Sequence, residues 1–155
     1  VIATLLNRDE EELVVNGCFD GFYSYFATDG FTYGSTSAHW KLLAAWARKK
    51  NLWFSPSAGP GYNDTRIRPW NGVATRDRRN GAYYRQMLGA AVESGADLVS
   101  ITSWNEWGEG TQIEPARAPA DDVGDHMDYG ANPNLYLDIT REATTRLRSR
   151  SPPDL

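Results

Sequence analysis

LVSITSW, residues Leu98–Trp104, is an apolar run of strand length that passes without a break into Asn-Glu-Trp-Gly-Glu-Gly-Thr-Gln-Ile-Glu, residues Asn105–Glu114. A run this short, followed at once by glycines, reads as a strand and not as a buried helix. Upstream of it, Tyr84, Met87, Leu88, Ala91 and Val92 recur at helical spacing, with Asn80 placed to cap that helix and Gly95 to stop it. Before that helix lies Leu52–Ala58 (LWFSPSA), a second strand, and then an irregular stretch from Gly59 to about Asn80, far longer than an idle connection. Earlier still, Trp40, Leu43, Ala44 and Ala47 mark a helix from Ser37 through Lys49, and Gly21–Ala27 (GFYSYFA) reads as a strand. Val1–Leu6 is a further strand-like run, ahead of an acidic cluster, Asp9–Glu12, read as a solvated loop or a helix start. Downstream, a loop rich in Asp, Gly, Ala and Pro leads to a last helix from Asn134, with Tyr136, Ile139, Thr140, Ala143 and Leu147 on one face.

Strands alternating with helices in this way imply parallel βαβ units and an α/β fold. Three or four such units make about half of an eight-stranded (β/α)8 barrel of the TIM type, whose usual length is about 250 residues. Half a barrel leaves two sheet edges unpaired, and the chain opens at Val1 without an initiator Met. It therefore reads as the C-terminal half of a barrel whose N-terminal half lies elsewhere. The expected organisation is one partial barrel domain over residues 1–148 and a disordered tail over residues 149–155, where Pro152 and Pro153 fall.

Composition narrows the function. The chain has 155 residues, 41% hydrophobic and 23% charged, which is the balance of a globular domain and not of a disordered one. A net charge of −4 argues against a protein that tracks nucleic-acid phosphates. No run approaches the roughly 18 apolar residues of a membrane helix, so no membrane contact is expected from this segment. The single cysteine, Cys18, excludes an internal disulfide and a cysteine-based zinc site. Six Trp and eight Tyr are many for this length. Flat rings suit a carbohydrate cleft, although core packing uses them equally well.

The chemistry gathers where loops follow strands, the place at which (β/α)8 barrels build their active sites. Three segments qualify: Tyr25-Phe-Ala-Thr-Asp-Gly30, Gly59-Pro-Gly-Tyr-Asn-Asp-Thr-Arg-Ile-Arg-Pro-Trp70, and Trp104 through Glu114. In the last, Glu106 and Glu109 stand close together among Trp104, Trp107, Gly108 and Gly110. Cleaving an acetal needs one carboxyl to protonate the leaving oxygen and a second carboxylate with another role. Apolar walls and a neighbouring like charge separate the pKa values of such a pair. The competing reading is a surface loop whose glutamates are solvated or paired with arginines between residues 66 and 79.

WNEWGEGTQIE, GPGYNDTRIRPW and YFATDGFTYGS together resemble glycoside hydrolase family 99, the endo-α-1,2-mannosidases. The resemblance runs from about Gly21 to the NLYLDIT segment at Asn134–Thr140, in the order of the C-terminal half of that family's barrel. It implies a retaining hydrolase that cuts an α-1,2-mannosyl linkage within a glucosylated mannose arm, with the substrate's own 2-hydroxyl attacking the anomeric carbon to give a 1,2-anhydro sugar. By the same match, Glu106 is the base toward that hydroxyl, and Glu109 is the acid toward the leaving oxygen and then the base toward water. Tyr25 resembles the family's tyrosine near the reacting sugar; a core tyrosine is the other reading, and Tyr23 the other choice by register. Tyr62, Asp64, Arg66, Arg68 and Trp70 either line sugar subsites or brace the glutamate loop, the brace being favoured for Arg68. Asn105 holds a sugar hydroxyl or the loop itself, and Trp104 and Trp107 stack on sugar or pack the barrel mouth.

No metal and no cofactor are expected, since His39 and His126 are far apart without ligand spacing. The expected partner is an oligosaccharide or N-glycan substrate, with the other half of the barrel needed to complete the site. Comparison with animal members implies the Golgi lumen, and with bacterial members the periplasm or cell surface. Two other readings remain at this point: a related sugar-active barrel of different linkage specificity, and a truncated carbohydrate-binding fragment without catalysis.

Overall fold

The computed structural model describes residues 1–117 and 129–149. Five short strands, β1 (Ile2–Thr4), β2 (Gly21–Tyr23), β3 (Trp53–Ser55), β4 (Ser57–Ala58) and β5 (Ser100–Ile101), alternate with helices α1 (Glu11–Asn16), α2 (Trp40–Lys49), α3 (Ala82–Glu93) and α4 (Leu135–Arg148). Among the described residues all pairings between these strands are parallel, and Tyr62 and Arg76 form an isolated antiparallel bridge. Ile2 sits opposite Gly21, Gly21 opposite Trp53, and Ser57 opposite Ser100. Pro56 separates β3 from β4 because it has no N–H to give to the ladder. Its carbonyl still accepts from the Ser100 N–H at 3.0 Å, and the Thr102 N–H reaches Ala58 O at 3.0 Å. On the other side the buried Ser24 hydroxyl accepts from the Ser57 N–H at 2.8 Å, standing in for a ladder carbonyl. Thus β3 and β4 work as one strand, and neighbours in sequence are neighbours in the sheet.

The helices cover one face. Phe22 of β2 stacks on Phe54 of β3 at 4.8 Å and meets Trp46 of α2 edge-on at 5.4 Å. Leu5, Trp40, Leu43, Tyr84, Met87, Tyr136 and Ile139 complete a buried core. Each such side chain contributes about 1.5–3 kcal/mol when fully buried. The Trp40 indole avoids an unpaired donor by giving its N–H to Gly34 O at 2.9 Å.

Several boundaries differ from those read in the sequence, each for a local reason. The strand expected over Gly21–Ala27 stops at Tyr23, because Tyr25 turns the backbone to a φ of 61°. Leu98–Trp104 yields ladder strand only at Ser100–Ile101 and is half-buried, Leu98 being exposed, because no strand covers its outer edge among the described residues. Asn80, expected as a helix cap, has a φ of 50° inside a 3-10 turn, and α3 begins after Gly81 at a φ of 81°. Ser37 opens a 3-10 turn ahead of α2, where its N–H is taken by the distant Asp29 carboxylate at 2.7 Å. The acidic cluster Asp9–Glu12 is divided between a 3-10 turn at Arg8–Glu10 and the start of α1 at Glu11. Of the expected tail, residues 150–155 lie outside the described residues, as does His126.

Candidate active site

Because the strands are parallel, their C-terminal ends open on one side, and the loops after β2, β4 and β5 meet there. They meet very closely at Gly59, where a Cβ would lie 2.2 Å from the Ala27 Cβ and 2.8 Å from Thr102 O. Only glycine lets three strand ends come together at that spacing. Above them a cleft of about 240 Å³ is lined by Tyr25, Phe26 and Phe31 from the first loop, Tyr62, Arg68 and Asn71 from the second, and Glu109 from the third.

The loop carrying the two glutamates is closed on itself. Ser103 N–H donates to Thr111 O at 2.8 Å and Thr111 N–H to Glu106 O at 3.1 Å. The Ser103 hydroxyl accepts from the Glu106 N–H at 3.0 Å and lies 2.9 Å from the Thr111 hydroxyl. The exposed Glu106 carboxylate is held by the Gly108 N–H at 3.0 Å. A Cβ at Gly108 would stand 2.9 Å from that same Glu106 Oε1, so the glycine leaves the carboxylate its room. Glu109 is fixed from outside the loop. Its backbone carbonyl accepts from the Asn63 N–H at 2.8 Å, and its Oε1 takes a hydrogen bond from the Arg68 guanidinium at 2.9 Å.

Arg68 is shared. The same Nη1 reaches Asp64 Oδ2 at 3.0 Å, and that oxygen also accepts from the Tyr62 hydroxyl at 3.0 Å and from Asn71 Nδ2 at 2.9 Å. Burial pushes the Asp64 carboxyl up, but the hydrogen bonds from Asn71, Arg68 and Tyr62 outweigh it and hold the group below the ordinary aspartate range. Burial, reinforced by the Asp64 hydrogen bond and the nearby Glu109, pushes the Tyr62 phenol up to about 12, so it remains a donor.

A second arginine grips the loop from behind. Arg78 is buried, and its three nitrogens donate to Tyr136 Oη at 3.0 Å, Gly110 O at 3.0 Å and Gln112 O at 2.8 Å. Its guanidinium lies 4.1 Å from the Tyr136 ring centroid and 5.4 Å from that of Tyr129. Sequence reading did not single out Arg78, Asn71 or the cleft-lining Phe26 and Phe31. Arg78 is one of several arginines in a polar stretch, and nothing local marks the one that turns inward.

Of the residues singled out in the sequence, Tyr25, Tyr62, Arg68 and Glu109 come together in the cleft. Asp64 has no exposed surface and sits beneath it. Arg66 and Trp70 point to solvent, Trp70 being 81% exposed. Trp104 and Asn105 are exposed on the glutamate loop, while the Trp107 indole N–H is turned toward the Glu114 carboxylate. His39 ends the 3-10 turn before α2, with its Nδ1 on Tyr33 O. Among the described residues no three His, Cys, Asp or Glu side chains gather to hold a metal ion.

Residues 1–149 match the model of the family described as glycosyl hydrolase family 99. The chain belongs to that family. It is 49% identical over 142 residues to the glycoprotein endo-alpha-1,2-mannosidase of Mus musculus, a match that covers 91% of this chain and 31% of the relative. It is 46% identical over 141 residues to the human glycoprotein endo-alpha-1,2-mannosidase-like protein, again with 31% of that relative covered. Among solved structures, the family-99 endo-alpha-mannosidase of Bacteroides thetaiotaomicron superposes with a TM-score of 0.90 at 51% identity, over 97% of this chain and 45% of the other. The chain thus spans about a third of the length of these relatives and under half of the solved one. The described strands and helices are part of the family's (β/α) barrel.

Proposed function

We propose that the complete protein is a retaining, endo-acting family-99 glycosidase that cleaves α-1,2-mannosidic linkages in glucosylated mannose oligosaccharides or N-glycans. In the first step Glu106 takes the proton of the substrate's 2-hydroxyl, the freed oxygen attacks the anomeric carbon, and the glycosidic C–O bond breaks. Glu109 gives its proton to the departing oxygen. In the second step Glu109 takes a proton from water, which opens the 1,2-anhydro sugar at the anomeric carbon, and Glu106 returns the proton to O2. The observation that carries this reading is the placement of Glu109, with Glu106 exposed on the same loop and not among the residues lining the cleft. Glu109 faces the cleft with Oε1 held by Arg68, and its Oε2 takes no hydrogen bond from the described residues. Glu106 is on the same loop, held by one backbone N–H.

Tyr25 lines the same cleft and is 45% exposed, so its side chain is open to a sugar. The remaining wall is supplied, in this proposal, by the other half of the barrel. Among the described residues no helix is long and apolar enough to cross a membrane. For an animal protein the proposal carries the Golgi lumen as its location, and for a bacterial protein the periplasm or cell surface. The test is proton NMR of the complete protein acting on a glucosylated α-1,2-linked mannose oligosaccharide. A glucosyl-mannose disaccharide, released with its anomeric configuration retained, is expected. Glu106→Gln and Glu109→Gln should each slow this by about 10²–10⁴-fold. No cleavage by the unaltered protein, or full activity in both variants, overturns the reading.

A further inference from the structure

Asp64 presents an energetic puzzle. Its carboxylate has no exposed surface, and only one of its two oxygens is satisfied, by Tyr62, Arg68 and Asn71. The other, Oδ1, is buried without a hydrogen-bond partner among the described residues. A carboxylate in that state costs stability, and it cannot touch a sugar. What it does hold is Arg68, whose side chain is 43% exposed and whose Nη1 bridges Asp64 Oδ2 and Glu109 Oε1. An arginine on a surface loop would otherwise be free to swing among rotamers.

Resting on the function proposed above, we propose that Asp64 is a positioning residue that acts on Glu109 through Arg68. Asp64 pins the guanidinium from beneath, and the guanidinium pins one oxygen of Glu109. The other oxygen, Oε2, then carries the proton to the leaving group at a fixed place in the cleft. Tyr62 and Asn71 hold Asp64 from the cleft side and so make the three-member chain rigid. Proton donation is a step that tolerates little displacement of the donor.

The test uses a readout that a purely structural role does not move. A natural oligosaccharide leaves as a sugar alkoxide and needs Glu109's proton, whereas the glycosyl fluoride of the same glycone loses fluoride without one. In the complete protein, Asp64→Asn should lower kcat/KM on the oligosaccharide at least about tenfold and on the fluoride less than about threefold. Arg68→Met, at a half-exposed position, should give the same selective loss and serves if Asp64→Asn does not fold. The double variant should lose no more than the worse single one, because the two act in one line. An equal loss on both substrates, or losses that multiply in the double variant, overturns the proposal while leaving the function intact. If the unaltered protein cleaves neither substrate, the function falls and this proposal with it.

Discussion

Arg68 and Arg78 hold the same loop from two sides and do so by different physics. Arg78 is buried, and its acceptors among the described residues are neutral: two backbone carbonyls and a tyrosine hydroxyl. Those carbonyls belong to the ladder-like base of the loop and have one position available. Arg68 is half-exposed and bonds two carboxylates, one buried and one in the cleft. Its partner Glu109 faces the cleft, so this contact sets where that carboxylate stands. The same side chain therefore fixes a loop where it meets the backbone and tunes a site where it meets acids.

The largest effect that separates them is on stability. Arg78→Met strands buried acceptors at about 1–3 kcal/mol each and should destabilise the complete protein by about 3–5 kcal/mol, read from urea midpoints at constant m-value. Arg68→Met should lower the urea midpoint less than Arg78→Met does, since the Arg68 guanidinium is partly solvated and Asp64 keeps Tyr62 and Asn71. Equal losses in the two variants would break the comparison.

A smaller difference lies in pH. The folded-state pKa of Asp64 is depressed below its ordinary value of 3.8, so its contribution is complete above that value and is lost as pH falls through the lower, folded one. The stability gap between the unaltered protein and Asp64→Asn should therefore narrow in denaturant titrations taken below about pH 4. A gap that stays constant from pH 7 into that range would refute the ionised, hydrogen-bonded Asp64. Smallest of all, Asp138→Asn breaks an exposed pair with Arg141 on α4 and should leave the urea midpoint essentially where it is. It sets the baseline for a bond that merely decorates the surface.

Much of the scaffold was legible because it is written in local spacing. The apolar faces of α2, α3 and α4 and the run before the glutamate loop announce themselves within a dozen residues, and parallel pairing then places every post-strand loop on one side. The loop that carries Glu106 and Glu109 is likewise local, since it follows β5 directly in sequence. What was hidden depends on contacts between residues far apart in sequence. Asp64 and Arg66 look alike as polar loop residues, yet one is sealed under the cleft and the other is in solvent. Nothing within the loop tells Arg78 from Arg79, because the deciding partners, Gly110, Gln112 and Tyr136, come from later parts of the chain. The shortened end of β2 was hidden too, since an aromatic residue at positive φ, as at Tyr25, runs against its own preference.

The backbone crowding at Gly59 also bears on how this cleft can be re-engineered. Tyr25 and Phe31 are about half exposed in the cleft and accept side chains of other sizes and polarities, so a combinatorial library can vary them together, whereas Asn71 is tied to Asp64. Gly59 and Ala27 have no such latitude, because the smallest added carbon already overlaps a neighbouring strand end. Saturating those two positions would fill a screen with unfolded clones, whereas freezing them confines the search to sequences that keep the three strand ends together while the cleft lining changes.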